Sequence, residues 1–211
     1  MEIKVFDSAS LAAQFAAKEM ALLLGQKSQA NLGVATGRTM DAVYHHLGDI
    51  HKKEGFSCSK ARTFALDEYI GLAPNDENSY RNYLDFHLFR PLGFSQENTR
   101  LPNVHHSDLD LAGFEYETQI KKAGGIDLQM LGIGLNGHIG LNEPGSAQDS
   151  RTRVVALSQK TRDSNKALFH EKEVPLTAMT MGIGTILEAK RIILLATGRT
   201  KAEIFQKFVN G

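Results

Sequence analysis

Residues 31–53 read NLGVATGRTMDAVYHHLGDIHKK: a short apolar run, a turn carrying Gly37, and an amphipathic stretch at helical spacing. Strand, turn and helix in that order form the first half of a crossover unit, which calls for a parallel neighbour strand. Outward from this stretch the alternation recurs. EIKVF at 2–6 and SLAAQFAAKEMALLL precede it; TFALD at 63–67, NSYRNYLDFHLF, LDLAGFEYETQIKKA, DLQMLGIG at 127–134, RIILLAT at 191–197 and KAEIFQKFV follow. The pattern predicts an α/β fold, an open three-layer sandwich with a mainly parallel sheet covered by helices on both faces. Ligands of such sheets bind beyond the carboxyl ends of the strands, so functional residues are expected in those loops.

A chain of 211 residues with 42% hydrophobic content can bury one sizeable core, so residues 1–211 read as a single domain. Its 24 basic and 24 acidic residues cancel, which gives no pull toward nucleic acid or an anionic membrane. A small molecule is the expected partner. No run approaches the roughly 18 apolar residues of a membrane span, and the start MEIKVFDS lacks the layout of a signal peptide, so a cytoplasmic protein is expected. The sole cysteine, Cys58, has no partner for a disulfide and reads as a bystander. Nothing in the sequence specifies an oligomeric state.

The pentapeptide ATGRT occurs at 35–39 and again at 196–200, each time between an apolar run and a helical segment. A Gly turn that opens a helix offers free backbone N–H groups and the positive end of the helix dipole, both suited to an anion. Thr36, Gly37, Arg38 and Thr39 would form such a nest; the plainer alternative is that Thr39 only caps the helix. Lys201 adds a mobile cation after the second copy. With no GxxxxGK[ST] loop, the pair points to a phosphorylated metabolite more than to a nucleotide. GIGLNG at 132–137 matches a dinucleotide fingerprint, but HIGLNEPGSA after it cannot continue as a helix and no acidic residue follows at the required distance. No cofactor is expected.

That same stretch supplies Asn136, His138 and Glu143 on an irregular loop after a strand. A histidine, with an ordinary pKa of about 6.5, suits proton transfer near neutrality, and a carboxylate nearby can orient it. The alternative is a His and a Glu that satisfy loop backbone. Asp67 ends the apolar TFAL, where partial desolvation would raise its pKa toward that of a useful base; the alternative is a turn cap. No metal is expected, because His45–His46 and His105–His106 are adjacent pairs that diverge in a helix or strand, and no HExxH exists.

Together, ATGRT, LDEYIGL at 66–72, GIGLNGHIGLNEPG at 132–145 and SRTRVVAL at 150–157 make the chain resemble the glucosamine-6-phosphate deaminase family. The resemblance implies a single α/β domain related to 6-phosphogluconolactonase. It implies ring opening of the amino sugar, isomerisation through an enolamine, and loss of ammonia to leave fructose 6-phosphate. In that scheme Asp67 matches the base between C2 and C1, and His138 the ring-opening group with Glu143 as carboxylate partner. Thr36 to Thr39 match the phosphate loop, Arg162 and Lys201 its cationic side chains, and 150–175 the lid. Asn136 stands where part of the family has aspartate, which leaves the relay to His138 and Glu143; Arg38 and Met40 stand where a small residue and a proline are usual. The family continues past the last helix with a further strand, so this chain is expected to lack part of the sheet. Galactosamine 6-phosphate is the alternative substrate, given Leu141 in NGHIGLNEPG. A lactonase gives no reason for a base at Asp67, and a sugar-phosphate sensor would need a DNA-binding module and no acid–base groups.

Overall fold

In the computed structural model, which describes residues 1–166, 169 and 172–210, the crossover at 31–53 follows a first helix, α1 (Ala9–Gln26). It consists of β1 (Asn31–Val34) leading into α2 (Arg38–Glu54). Ser8 accepts a hydrogen bond from the Leu11 amide and starts α1. Ala13, Ala16, Ala17, Met20, Ala21 and Leu24 recur at helical spacing and form its buried face. Small residues on that stripe let α1 lie close to α2, which buries Met40, Val43, Tyr44 and Leu47. Each larger apolar side chain removed from water contributes about 1.5–3 kcal/mol.

β1 pairs in parallel with β2 (Arg62–Ala65) on one side and β5 (Leu128–Gly132) on the other. β4 (Thr99–Arg100) and β8 (Ile192–Leu195) complete a five-stranded parallel sheet in the order β4-β2-β1-β5-β8. The expected mainly parallel α/β sheet is therefore present, flanked by α1, α2 and α5 (Leu109–Lys122), whose buried side chains join the strands in one core. Cys58 is 1% exposed, and burial pushes its thiol up to about 12, so it stays a protonated core residue.

Two features depart from the sequence reading. EIKVF at 2–6 forms no strand: Ile3 and Val5 are exposed, and only Phe6 is partly covered, with its ring 5.4 Å from that of Phe15 in α1. Among the described residues no strand pairs with the run, and alternation alone does not make a strand without a partner for its backbone bonds. The second feature is an additional three-stranded antiparallel sheet, in the order β3 (Asp67–Tyr69), β7 (Thr177–Thr180), β6 (Arg153–Ala156). Its strands are short, half exposed or polar, so they carry little apolar signal. Leu66 joins the two sheets: its N–H donates to Val34 O at 3.0 Å and its carbonyl accepts from Met181 N at 2.6 Å. The chain thus leaves the parallel sheet at the carboxyl end of β2, and Asp67 is the first residue beyond the switch.

The segment NSYRNYLDFHLF is helical but broken into α3 (Tyr80–Leu84), a π turn at Asp85–Phe89 and the short α4 (Arg90–Leu92). Among the described residues, α5 is followed by α6 (Gln159–Asn165), α7 (Ile183–Leu187) and α8 (Ala202–Asn210). Among the described residues no helix is long and apolar enough to cross a membrane.

Candidate active site

Loops beyond the carboxyl ends of β1, β2 and β5 meet at a cavity of about 460 Å³, where the parallel sheet predicts a ligand. Thr36, Gly37, Arg38 and Thr39 line one end of it, together with Lys201. Gly37, at φ 103°, is the N-cap of α2, and no side chain caps that helix, so Thr39 is not its cap. The Met40 amide donates to Gly37 O at 2.8 Å, but among the described residues the Arg38 and Thr39 amides have no partner and are left for a ligand; the positive φ makes glycine the natural occupant of the turn. Gly198 repeats the same backbone, φ 83° and ψ 155° against 103° and 166° at Gly37. Yet of the residues from the second ATGRT to Lys201, only Lys201 lines the cavity. The repeated sequence encodes a repeated turn, and one copy serves as a wall. Burial lowers the pKa of the Lys201 amine.

Arg162 does not join them. It lies on α6, and its guanidinium hydrogen-bonds Gln159 of the same helix, while Ser164 and Asn165 of α6 line the cavity. That bond turns the guanidinium toward the first turn of α6, and Arg162 is not among the residues that line the cavity. Lys201→Ala should therefore raise KM for a phosphorylated substrate by about tenfold or more, the effect of about 1.5–3 kcal/mol for a charged hydrogen bond. Arg162→Ala should leave KM within about twofold, because its guanidinium is bonded to Gln159 and does not line the cavity. Steady-state kinetics on both variants checks the contrast.

Asp67 is 5% exposed and sits on the cavity wall. Burial, helped by the neighbouring Glu68 charge, raises its pKa to about 8 against the opposing hydrogen bonds from Thr180 and the Leu141 amide. Glu68 does something else. Its carboxylate accepts the amides of Tyr69 and Tyr80 at 2.9 Å and of Arg81 at 2.8 Å, so it ties the start of α3 to β3. Tyr69 carries the strand's third function: its hydroxyl receives hydrogen bonds from Tyr80 at 3.0 Å and from Asn165 at 2.9 Å.

His138 lines the same cavity, on the loop after β5. That loop forms no helix, in keeping with the rejection of a dinucleotide turn. Gly134 makes room for the ring: a Cβ there would fall 2.3 Å from the imidazole. Burial lowers the His138 pKa, Glu143 works the other way, and the Lys201 charge lowers it further. Asn136 is part of this group, contrary to a relay of His138 and Glu143 alone. Its amide donates to Glu143 Oε2 at 2.6 Å, and its carbonyl accepts the His138 amide at 3.2 Å.

Sequence reading missed Thr161 and Ser158. No direct hydrogen bond joins His138 to Glu143 among the described residues; the Thr161 hydroxyl stands between them, 2.5 Å from Glu143 Oε1 and 3.5 Å from His138 Nδ1. Ser158 caps α6 by accepting the Thr161 amide at 3.1 Å, and its own amide donates to Glu143 at 3.2 Å. Although burial would raise the Glu143 pKa, the hydrogen bonds from Thr161, Ser158 and Asn136 prevail and lower it, so the group stays ionised. The S-x-x-T start of α6 was the available signal, but nothing in sequence brings it to residue 143. Within 150–175, the expected lid, the chain forms β6 and α6, while residues 167, 168, 170 and 171 lie outside the described residues.

The metal expectation needs one correction. His45, His46 and Asp49 bring ligand atoms within 4.8 Å of one another on α2, because Asp49 lies one turn on from the adjacent pair and its carboxylate is 3.3 Å from His45 Nδ1. His46 also approaches Ser10 at 3.3 Å, and none of the three histidine and aspartate side chains lines the cavity.

Residues 6–211 match the family described as glucosamine-6-phosphate isomerases/6-phosphogluconolactonase. A glucosamine-6-phosphate deaminase of Rhodopirellula baltica is 49% identical over 187 residues, 88% of this chain and 74% of that protein. One of Hahella chejuensis is 44% identical over 212 residues, 100% of this chain and 81% of its own. The solved structure of a monomeric glucosamine-6-phosphate deaminase superposes with a TM-score of 0.96 at 39% identity, covering 100% of this chain and 88% of that one. A 6-phosphogluconolactonase from Thermotoga maritima has a TM-score of 0.73 at 18% identity, covering 99% and 88%, which shows the shared fold alone. With a buried carboxyl, a histidine and a Gly turn gathered at one cavity and a match that begins at Phe6, the chain belongs to the glucosamine-6-phosphate isomerase/6-phosphogluconolactonase family.

Proposed function

We infer that this protein converts glucosamine 6-phosphate to fructose 6-phosphate and ammonia. The observation that carries the reading is Asp67, a buried carboxyl with its pKa raised to about 8 on the wall of a cavity that also holds a Gly turn for a phosphate. A lactonase has no need of a base at that position, and the curated relatives at 44–49% identity are named as deaminases. Their substrate is an impermeant anion, in accord with a cytoplasmic enzyme whose partner is the sugar phosphate and not nucleic acid. Residues 1–211 are read as one catalytic domain.

In the mechanism this supports, the Thr36–Thr39 turn and Lys201 hold the phosphate. His138 shuttles the proton between the O1 hydroxyl and the ring oxygen, which breaks the C1–O5 bond and frees the open-chain aldehyde. Asp67 removes the C2 proton; the electron pair of that bond forms the C1=C2 double bond of the enolamine as O1 gains a proton. Asp67 returns a proton to C1, leaving an imine at C2. Water adds there, and ammonia departs as the ketone forms.

Incubation with glucosamine 6-phosphate should release ammonia at a rate unchanged by a chelator, because the transfers use side chains alone. Galactosamine 6-phosphate and 6-phosphogluconolactone serve as parallel substrates. Faster turnover of the galacto sugar would change the substrate, and lactone hydrolysis without ammonia release would overturn the reading.

A further inference from the structure

A hydroxyl has one proton to give and two lone pairs to receive with, and the Thr161 hydroxyl has three polar contacts to divide among them. Thr161 is 2% exposed, so these contacts are not traded for water. The shortest, 2.5 Å, is to Glu143 Oε1. That carboxylate already receives Asn136 Nδ2 at 2.6 Å and the Ser158 amide at 3.2 Å, an environment that keeps it ionised and unable to donate. Thr161 must therefore give its proton to Glu143. Ser158 Oγ donates to Thr161 Oγ1 at 3.1 Å and fills one lone pair. The remaining contact is His138 Nδ1 at 3.5 Å, and with the Thr161 proton spent, the imidazole has to be the donor.

We propose that Thr161 is a positioning residue for the proposed deamination, holding His138 in the Nδ1–H form so that Nε2 faces the substrate as the acid–base nitrogen. The assignment rests on the deaminase reading for its catalytic consequence, but the proton arrangement does not. Thr161 also conveys the charge of Glu143 to the ring: an imidazolium formed during ring opening donates more strongly to a hydroxyl polarised by a carboxylate. Because Thr161 lies one turn into α6, the ring is in its working form only when that helix is docked on the Glu143 loop. Asn165, four residues on, holds the same helix to Tyr69.

The test joins a spectroscopic readout to kinetics. Nitrogen-15 NMR of the histidine-labelled protein at pH 8, with the His138 signals assigned by their loss in His138→Gln, should show the proton on Nδ1. Thr161→Val keeps the volume and removes the hydroxyl. It should lose the Nδ1–H preference and lower kcat by about tenfold to a hundredfold, part of the 10²–10⁴ supplied by a general acid–base group. KM should stay within twofold, since the phosphate contacts are untouched, and Thr161→Ser should restore both the tautomer and most of kcat. An Nε2–H tautomer in the unmodified protein would overturn the proposal, and needs no variant to fold. So would a Thr161→Val enzyme with unchanged kcat. Failure of the deaminase reading looks different: the unmodified protein would release no ammonia and would not exchange the C1 hydrogen of fructose 6-phosphate in deuterated water with ammonium present.

Discussion

Replacing Asp67 by Asn should lower the rate of ammonia release by about 10²–10⁴, the usual cost of losing a general base. The substitution preserves shape and hydrogen-bonding capacity, so the loss isolates the proton transfer at carbon. Binding of the substrate phosphate, remote from this group, should survive. The parent enzyme should show kcat/KM rising with pH and levelling near the pKa of Asp67, about 8, because only the carboxylate can take the C2 proton. The same shift sets a stability effect whose sign runs the other way. The folded-state pKa is raised from 3.8, so the protonated carboxyl is the form that suits the fold. Its contribution is complete below pH 3.8 and is lost as pH rises through about 8. The Asn variant has no such titration. It should therefore gain on the parent by up to about 1.4 kcal/mol per pH unit across that window, and thermal melts at pH 5 and pH 9 should show a gap in Tm that widens at the higher pH. An equal gap at both values would contradict the buried, shifted carboxyl.

Gly134→Ala is expected to cost about a hundredfold in kcat without touching any acid–base group. The new methyl would fall 2.3 Å from the His138 ring, inside van der Waals contact, and the Gly134 amide is already committed to His138 O at 2.9 Å. The backbone on both sides of the turn is thereby fixed, so the ring must swing away. Displacement of a catalytic group by about 1 Å can cost 10² in rate. His138→Gln in the Gly134→Ala background should add little further loss, since the imidazole is already out of place. Full additivity of the two losses would show that the ring had tolerated the methyl.

The contrast between the two halves of the site reflects what sequence can carry. The crossover at 31–53, the turn at Gly37 and the strand before Asp67 were legible because each is written in consecutive residues. Asp67 needed only the apolar run ahead of it. Thr161 could not be found that way, since its partners at 138 and 143 come from a loop that meets α6 only in three dimensions. Arg162 went the other way: a resemblance carried it to the phosphate, while its guanidinium is bonded to Gln159 and does not line the cavity. The antiparallel sheet escaped notice because β3 reads DEY and β7 reads TAMT, runs too short and polar to register as strands. EIKVF made the opposite error possible, a regular alternation with no neighbour to pair with.

Glu68 has a consequence for how the protein breathes. Its carboxylate closes the segment from Ile70 to Ser79 into a ring, anchored on β3 at one end and on the Tyr80 and Arg81 amides at the other. Residues of that ring, Glu77 to Ser79, are also cavity wall. In hydrogen exchange the amides of Tyr80 and Arg81 should consequently open with those of β3 as a single cooperative unit, and not with the rest of α3. Opening of this ring is expected to let water reach Asp67, so the desolvation that raises its pKa should last only as long as the ring stays closed.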